Sequence, residues 1–208
     1  MNNNQIIINE RETGKTTYLF SEVERLQSEG EKIIILDSAT EHEEKSLLKK
    51  VSNSFQNTTV INVKDASIIA INKMDIEDYI KNFMNYFPFN DIVKNKNKII
   101  CFDLSYFLER GHDVYDETQS VDLYRYYREL YNNLAQQIVL CLILMEKFGI
   151  LYKSTILMDE IEMPIVNYDM SMIQGNLSFL ASVHPENAFG TFYTTFDKLE
   201  FAPYKRKE

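Results

Sequence analysis

The chain has 208 residues, a formal net charge of −9, and 45% hydrophobic and 25% charged residues. These proportions are typical of one globular domain, here residues 1–208. An acidic chain argues against a broad non-specific nucleic-acid surface, although not against a narrow one, because phosphate contacts need clustered lysine and arginine. The longest apolar run, residues 138–145, is too short to cross a bilayer, and the N-terminal residues do not resemble a signal segment. We therefore expect no membrane insertion and a cytoplasmic location.

Short apolar runs along the chain predict a series of strands separated by helices. The predicted strands are residues 6–8, 32–37, 58–63, 98–105, 154–164 and 190–196, and the predicted helices are one that ends at Gly30, residues 76–87 and residues 120–148. Strands that are apolar on both faces and alternate with helices indicate an α/β fold with a mostly parallel central sheet covered by helices on both faces. Cys101 and Cys141 lie inside apolar runs, which predicts buried thiols and no disulfide.

The segment after the first strand, residues 9–16, reads "NERETGKT". It fits the phosphate-loop pattern G-x-x-x-x-G-K-[ST] except that Asn9 replaces the first glycine, and asparagine tolerates positive φ better than most residues. In such a loop backbone N–H groups point at the phosphates, the lysine adds positive charge and the hydroxyl binds magnesium. The residues expected to bind the nucleotide are Asn9, Thr13, Gly14, Lys15, Thr16 and Thr17.

Two acids inside this loop, Glu10 and Glu12, argue against tight phosphate binding. An accidental helix start is therefore the alternative interpretation of the segment. The direction in which these two side chains point decides between a phosphate site and a plain helix cap.

Acids at the ends of two predicted strands compete for the magnesium role. In "ILMDE" we expect Asp159 to bind the metal together with Thr16, and Glu160 to position the attacking water, so that Glu160 and Lys15 are the predicted catalytic residues. A helix start that favours acids is the structural alternative for this pair. In a kinase-like arrangement Asp103 would bind magnesium instead, and Arg110, Arg125 and Arg128 would clamp phosphates.

Taken together, these blocks resemble the P-loop NTPases of the additional-strand, catalytic-glutamate division, and most of all the HerA/FtsK group of ATP-driven DNA pumps with its phage DNA-packaging type. The segments that carry the resemblance are the phosphate loop, "IIILDSATE", "CFDLS" and "ILMDE". The resemblance implies a three-layer P-loop NTPase fold, ATP and Mg²⁺ as cofactors, assembly into a homo-oligomeric ring, and nucleic acid as a partner.

The sequence departs from that family at three places. Asn9 makes the Walker A loop degenerate, and the final strand, expected to end in Thr-Gln, is matched by "FYTTF" with Phe196 at the glutamine position. The only candidates for an arginine finger are Arg110 and Arg206. "NKMD", residues 72–75, also resembles a guanine-reading motif, but no Asp-x-x-Gly stands between it and the loop, so ATP is the expected nucleotide.

Three hypotheses follow from these residues. The leading one is a Mg-ATP-binding P-loop ATPase, for which the resemblance implies a ring-forming nucleic-acid motor or packaging-type ATPase. The second is a small-molecule or nucleoside kinase that uses Asp103. The third is a degenerate P-loop scaffold or regulatory protein with little or no hydrolysis. The tyrosines and arginines of "LYRYYRELY", residues 123–131, could stack on bases or contact another subunit, or could form an ordinary helix flank.

Overall fold

The fold is taken from a computed structural model. It describes residues 4–9, 13–37, 46–62, 89–94, 99–151, 153–161, 176–185 and 196–199. The strands are β1 (Gln5–Ile8), β2 (Lys32–Asp37), β3 (Thr58–Asn62), β4 (Ile99–Asp103), β5 (Ser154–Asp159), β6 (Leu177–Val183) and β7 (Asp197–Lys198). The helices within these ranges are α1 (Lys15–Ser28), α2 (Leu47–Ser54), α3 (Phe89–Lys94), α4 (Ser105–Thr118) and α5 (Val121–Lys147).

All seven strands belong to one sheet in the order β3-β4-β2-β5-β6-β1-β7, and each neighbouring pair is parallel. Successive residues of β2 pack into two separate cores: Ile33 and Ile35 into one, Ile34 and Leu36 into the other. Because side chains alternate across a strand, the two cores lie on opposite faces of the sheet. The predicted three-layer α/β fold with a parallel sheet is therefore confirmed.

Different helices cover the two faces. Helices α1 and α2 fill the first core with residues such as Leu19, Val23 and Val51. Helix α5 fills the second core along its C-terminal half, from Leu130 onwards. The N-terminal half of α5 packs instead along α4, where Gly111 allows close approach: a Cβ at this glycine would lie 3.1 Å from the Cβ of Tyr127.

The bounds of the longest helix agree with the prediction of residues 120–148 to within one residue at each end. The Ser120 side chain caps its start by accepting a hydrogen bond from the Leu123 N–H at 3.3 Å. Gly149, with φ of +68°, follows its end, where the left-handed conformation favours glycine. Local capping chemistry thus fixed both ends of this element.

Several elements differ from the sequence prediction. Strand β6 was not predicted, although it lies between β1 and β5 near the middle of the sheet. The last strand begins at Asp197, just beyond the predicted 190–196 segment. Residues 190–195, like the predicted helix 76–87 and the "NKMD" segment, lie outside the described residues.

Both cysteines are buried and free, as predicted. Burial raises the pKa of the Cys141 thiol to about 12, and it raises the pKa of the Cys101 thiol as well, with a smaller contribution from the charge of Asp37. Both thiols are therefore held protonated and unreactive. Within the described ranges, no helix has the length and apolar character that crossing a bilayer requires.

Candidate functional site

Four neighbouring strands carry polar residues in one row at the carboxyl edge of the sheet. The strand register pairs Asp103 with Asp37, Asp37 with Asp159, and Asp159 with Ser182. Adjacent strands are about 4.8 Å apart, so three aspartates and a serine are spread over roughly 15 Å of this edge. In open parallel sheets, ligands bind beyond the carboxyl ends of the strands. This row of polar residues is therefore the candidate site.

The segment that joins β1 to α1 approaches the same edge from the other side of β6. The Asn9 N–H, just after β1, donates a hydrogen bond to the Val183 carbonyl at 3.3 Å. Gly14 has φ of +92° and accepts the first helical hydrogen bond, from the Tyr18 N–H at 3.0 Å. A left-handed residue at this position explains why glycine precedes the lysine. Residues 10–12 lie outside the described residues, and with them Glu10 and Glu12.

The Lys15 side chain turns back across this segment and is only 5% exposed. Its Nζ donates a hydrogen bond to the Asn9 carbonyl at 2.5 Å and lies 2.7 Å from Oε1 of Glu160. A short bond between an ammonium and a carboxylate is charge-assisted and stronger than a neutral one. Lys15 therefore links Asn9, which follows β1, with Glu160, which follows β5.

Asp159, the last residue of β5, is buried and accepts two side-chain hydrogen bonds. One comes from the Ser182 hydroxyl at 2.5 Å and the other from the Thr16 side chain. Burial raises the pKa of the Asp159 carboxyl, and the charge of Glu160 raises it further, whereas the two hydrogen bonds and the charge of Lys15 act in the opposite direction. Burial outweighs these contacts, so the net effect is a raised pKa of the Asp159 carboxyl.

Glu160 has a left-handed backbone, with φ of +55°. This conformation is uncommon for a residue with a Cβ and is held here by a hydrogen bond from the Glu160 N–H to the Ser182 carbonyl at 2.9 Å. The side chain is 36% exposed, so its carboxylate contacts both Lys15 and solvent. Strain of this kind concentrates at functional sites.

The other two aspartates of the row bind helix starts. Oδ1 of Asp103 accepts hydrogen bonds from the Ser105 N–H at 3.0 Å and the Ser105 hydroxyl at 2.7 Å, at the beginning of α4. Oδ2 of Asp37 accepts one from the Leu48 N–H at 2.7 Å, at the beginning of α2. Each carboxylate thereby satisfies a backbone donor that the helix itself leaves without a partner.

The structure brings together five of the predicted site residues: Asn9, Lys15, Thr16, Asp159 and Glu160. Gly14 starts the helix beside them, and Thr13 directly precedes it, half-buried. Thr17 is exposed and accepts a long hydrogen bond, 3.4 Å, from Lys50 of α2. On the exposed part of α5 lie Arg125 and Arg128, whereas Arg110 belongs to α4.

Sequence reasoning missed Ser182 and the strand that carries it. Strand β6 ends in Ser182 and Val183, beside Asp159 and Asn9 respectively. Phe196, which stands where the resembled family has a glutamine, is a core residue: it is buried, and its ring lies 6.0 Å from that of Phe179. The signal that could have found β6 is the apolar run "FLAS", residues 179–182, which ends in a hydroxyl as the other site strands end in acids.

Three comparisons, with protein-family models, curated proteins and solved structures, found no match to this chain. The fold and the site alone therefore define its class. It is an α/β protein with a seven-stranded parallel sheet, compatible with a P-loop NTPase. In the described part of the chain, no group of three or more His, Cys, Asp and Glu side chains is arranged to hold a metal ion.

Proposed function

We propose that this chain binds Mg-ATP at the carboxyl edge of its sheet and hydrolyses it. The observation that carries the proposal is a pair of contacts between consecutive residues. Lys15 and Thr16 begin α1, and they contact Glu160 and Asp159, respectively, at the end of β5. A lysine and a hydroxyl residue joined in this way to two acids are the parts that phosphoryl transfer requires.

The order of the strands supports the same proposal. Strand β6 lies between β1, which precedes the loop, and β5, which ends in Asp159 and is followed by Glu160. An extra strand at this place is the feature for which the additional-strand division of P-loop NTPases is named. The resemblance to the HerA/FtsK group, and with it a ring that moves nucleic acid, is the more specific form of the proposal.

Each residue has a role in this proposal. The N–H groups at the start of α1 and the Lys15 ammonium would bind the phosphates. Glu160 would orient the attacking water, since its carboxylate reaches solvent. Asn9 would hold Lys15 in place through its carbonyl.

The donor set also fits Mg²⁺. The Thr16 hydroxyl and the Asp159 carboxylate are hard oxygen donors, they lie within hydrogen-bond distance of each other, and Mg²⁺ is commonly held by one or two such groups plus phosphate and water. When bound, Mg²⁺ supplies charge neutralisation on the phosphates. The raised pKa of Asp159 agrees with a buried carboxylate that needs a further positive charge beside it.

The kinase alternative is less well supported by the contacts. It requires the Asp103 carboxylate at the metal, but that group caps α4, and two strands, β2 and β5, separate β4 from β6. A scaffold without nucleotide remains the non-enzymatic alternative, because Asn9 replaces a loop glycine.

Titration calorimetry with Mg-ATP tests the proposal. The wild type should bind, and Lys15→Ala should bind at least about tenfold more weakly, which corresponds to about 1.4 kcal/mol. Lys147→Ala, a matched change on the exposed last turn of α5, should bind like the wild type. Glu160→Gln should retain binding and lose about 10²-fold or more in hydrolysis.

The outcomes separate the alternatives. Absence of heat at millimolar nucleotide would leave only the scaffold. Binding with turnover only in the presence of a phosphate acceptor would indicate a kinase. ATPase activity that rises on adding DNA, together with a ring-sized particle in analytical ultracentrifugation, would support the motor.

A further inference from the structure

The Lys15 ammonium, the group proposed to bind phosphate, is engaged by oxygen atoms of the protein itself. It contacts the Asn9 carbonyl at 2.5 Å and the Glu160 carboxylate at 2.7 Å, and the side chain is 95% buried, with 5% exposed. An ammonium has three donors, and two of them point at these oxygens. A phosphate oxygen that approaches Lys15 must therefore compete with an anion that the protein itself supplies.

We propose that the Lys15–Glu160 ion pair is an autoinhibitory latch on the nucleotide site, an inference that rests on the proposed function. While the latch is closed, the Glu160 carboxylate binds the Lys15 ammonium, which is the group that a terminal phosphate needs. The same contact keeps the Glu160 carboxylate on the lysine and away from a water molecule. Phosphate binding to Lys15 releases Glu160, so that the water-orienting group is freed only when a substrate is present.

The two partners differ in freedom in the way that such a latch requires. The Lys15 side chain is buried and anchored at the Asn9 carbonyl, whereas the Glu160 side chain is 36% exposed and can turn into solvent. The Glu160 backbone is fixed, because its N–H is bonded to the Ser182 carbonyl. Rotation of the Glu160 side chain therefore leaves the backbone at the end of β5 in place.

The difference in charge determines whether the Glu160 carboxylate or a ligand phosphate binds Lys15. A carboxylate carries one negative charge, and the terminal phosphate of a triphosphate carries more, so the ligand is the stronger competitor for Lys15. The latch nevertheless lowers the apparent affinity, because only molecules with an open Lys15 bind. For a pair with one buried and one partly exposed partner, the expected reduction is about two- to fivefold.

The experiment compares the affinity of three proteins for a non-hydrolysable triphosphate with Mg²⁺, by calorimetry. Glu160→Gln removes the charge and keeps the shape. Glu160→Asp keeps the charge and shortens the side chain by one methylene, which breaks the 2.7 Å contact. Both variants should bind about two- to fivefold more tightly than the wild type. The matched control Glu117→Gln, an exposed acid of α4, should bind like the wild type.

The aspartate variant separates a latch from general repulsion between an acid and an anionic ligand. If only Glu160→Gln binds more tightly, the effect is long-range charge and the latch is wrong. If neither variant binds more tightly than a wild type that does bind, the latch is wrong and the proposed function stands. If none of the proteins binds at millimolar nucleotide, the proposed function fails and the latch fails with it. Melting curves for every variant establish that each is folded.

Discussion

The two halves of the carboxyl edge use the same residue type for different purposes. On the β4 and β2 side, Asp103 and Asp37 bind backbone N–H groups at the starts of α4 and α2. On the β5 and β6 side, Asp159 binds the hydroxyls of Ser182 and Thr16. All three aspartates end buried apolar strands. The comparison teaches that the partner, not the position at a strand end, decides what such an acid does: two of the three bind backbone donors at helix starts, and the third binds side-chain hydroxyls.

The largest expected effect comes from removing the carboxylate on each side of this edge in turn. Asp159→Asn should lower ATPase activity by about 10²-fold or more, because the charged metal ligand is lost. Asp103→Ala should leave activity near the wild-type level but lower the free energy of unfolding by about 0.5–2 kcal/mol through loss of the α4 cap. Steady-state ATPase assays and urea unfolding measure the two effects. Equal loss of activity in both variants would contradict the distinction.

A second pair of variants compares the two serines that donate to these aspartates. Ser182→Ala leaves the buried Asp159 without one of its donors and should cost about 1–3 kcal/mol of stability, with weaker Mg²⁺ dependence of nucleotide binding. Ser105→Ala retains the backbone donor to Asp103 and should cost under about 1 kcal/mol. Thermal unfolding and magnesium titrations with ATP present check both. A larger loss in the Ser105 variant would reverse the comparison.

The pH dependence of stability should differ between wild type and Asp159→Asn. Because burial raises the pKa of Asp159, the folded state holds its proton to a higher pH than the unfolded state does. The neutral carboxyl stabilises the fold fully below the unfolded pKa, and this contribution is lost as the pH rises through the folded pKa. Without magnesium, the asparagine variant should therefore melt above the wild type, by a margin that grows as the pH rises above about 4, the ordinary pKa of an aspartate. A difference in melting temperature that does not change with pH would show that Asp159 carries no such penalty.

The smallest effect concerns the backbone of Glu160. Glu160→Gly and Glu160→Ala both remove the carboxylate and the contact with Lys15, but only glycine accepts a φ of +55° without strain. The glycine variant should be more stable than the alanine variant by about 1 kcal/mol. Chemical denaturation of the two proteins side by side gives the difference. An alanine variant of equal or greater stability would mean that the left-handed conformation costs nothing here.

Local signals in the sequence predicted much of the fold. The bounds of β2 follow from one apolar run, and those of α5 follow from Ser120 and Gly149. Lys15 and Thr16 of the predicted phosphate loop, and the acids Asp159 and Glu160, were also singled out from their patterns, and the structure brings these four residues together. These features depend on residues close together in the chain, where propensity and capping act.

The sequence could not predict features that depend on distant partners. Strand β6 pairs Leu180 with Gln5, which is 175 residues away in sequence, and its local signal is weak because the apolar run between Ser178 and Ser182 is only three residues long. Asp103 and Asp159 follow similar apolar runs, so no local pattern separates a helix cap from a site residue. Only the neighbouring elements, α4 for the first and α1 for the second, give the two acids their different partners.

The most direct test of the central claim is a crystal structure with a non-hydrolysable ATP analogue and Mn²⁺, which anomalous scattering locates. The account predicts the metal beside Thr16 and Asp159, with the Lys15 ammonium on the terminal phosphate and the Glu160 carboxylate no longer in contact with it. A metal at Asp103, or a nucleotide bound elsewhere while Lys15 and Glu160 stay paired, would contradict it.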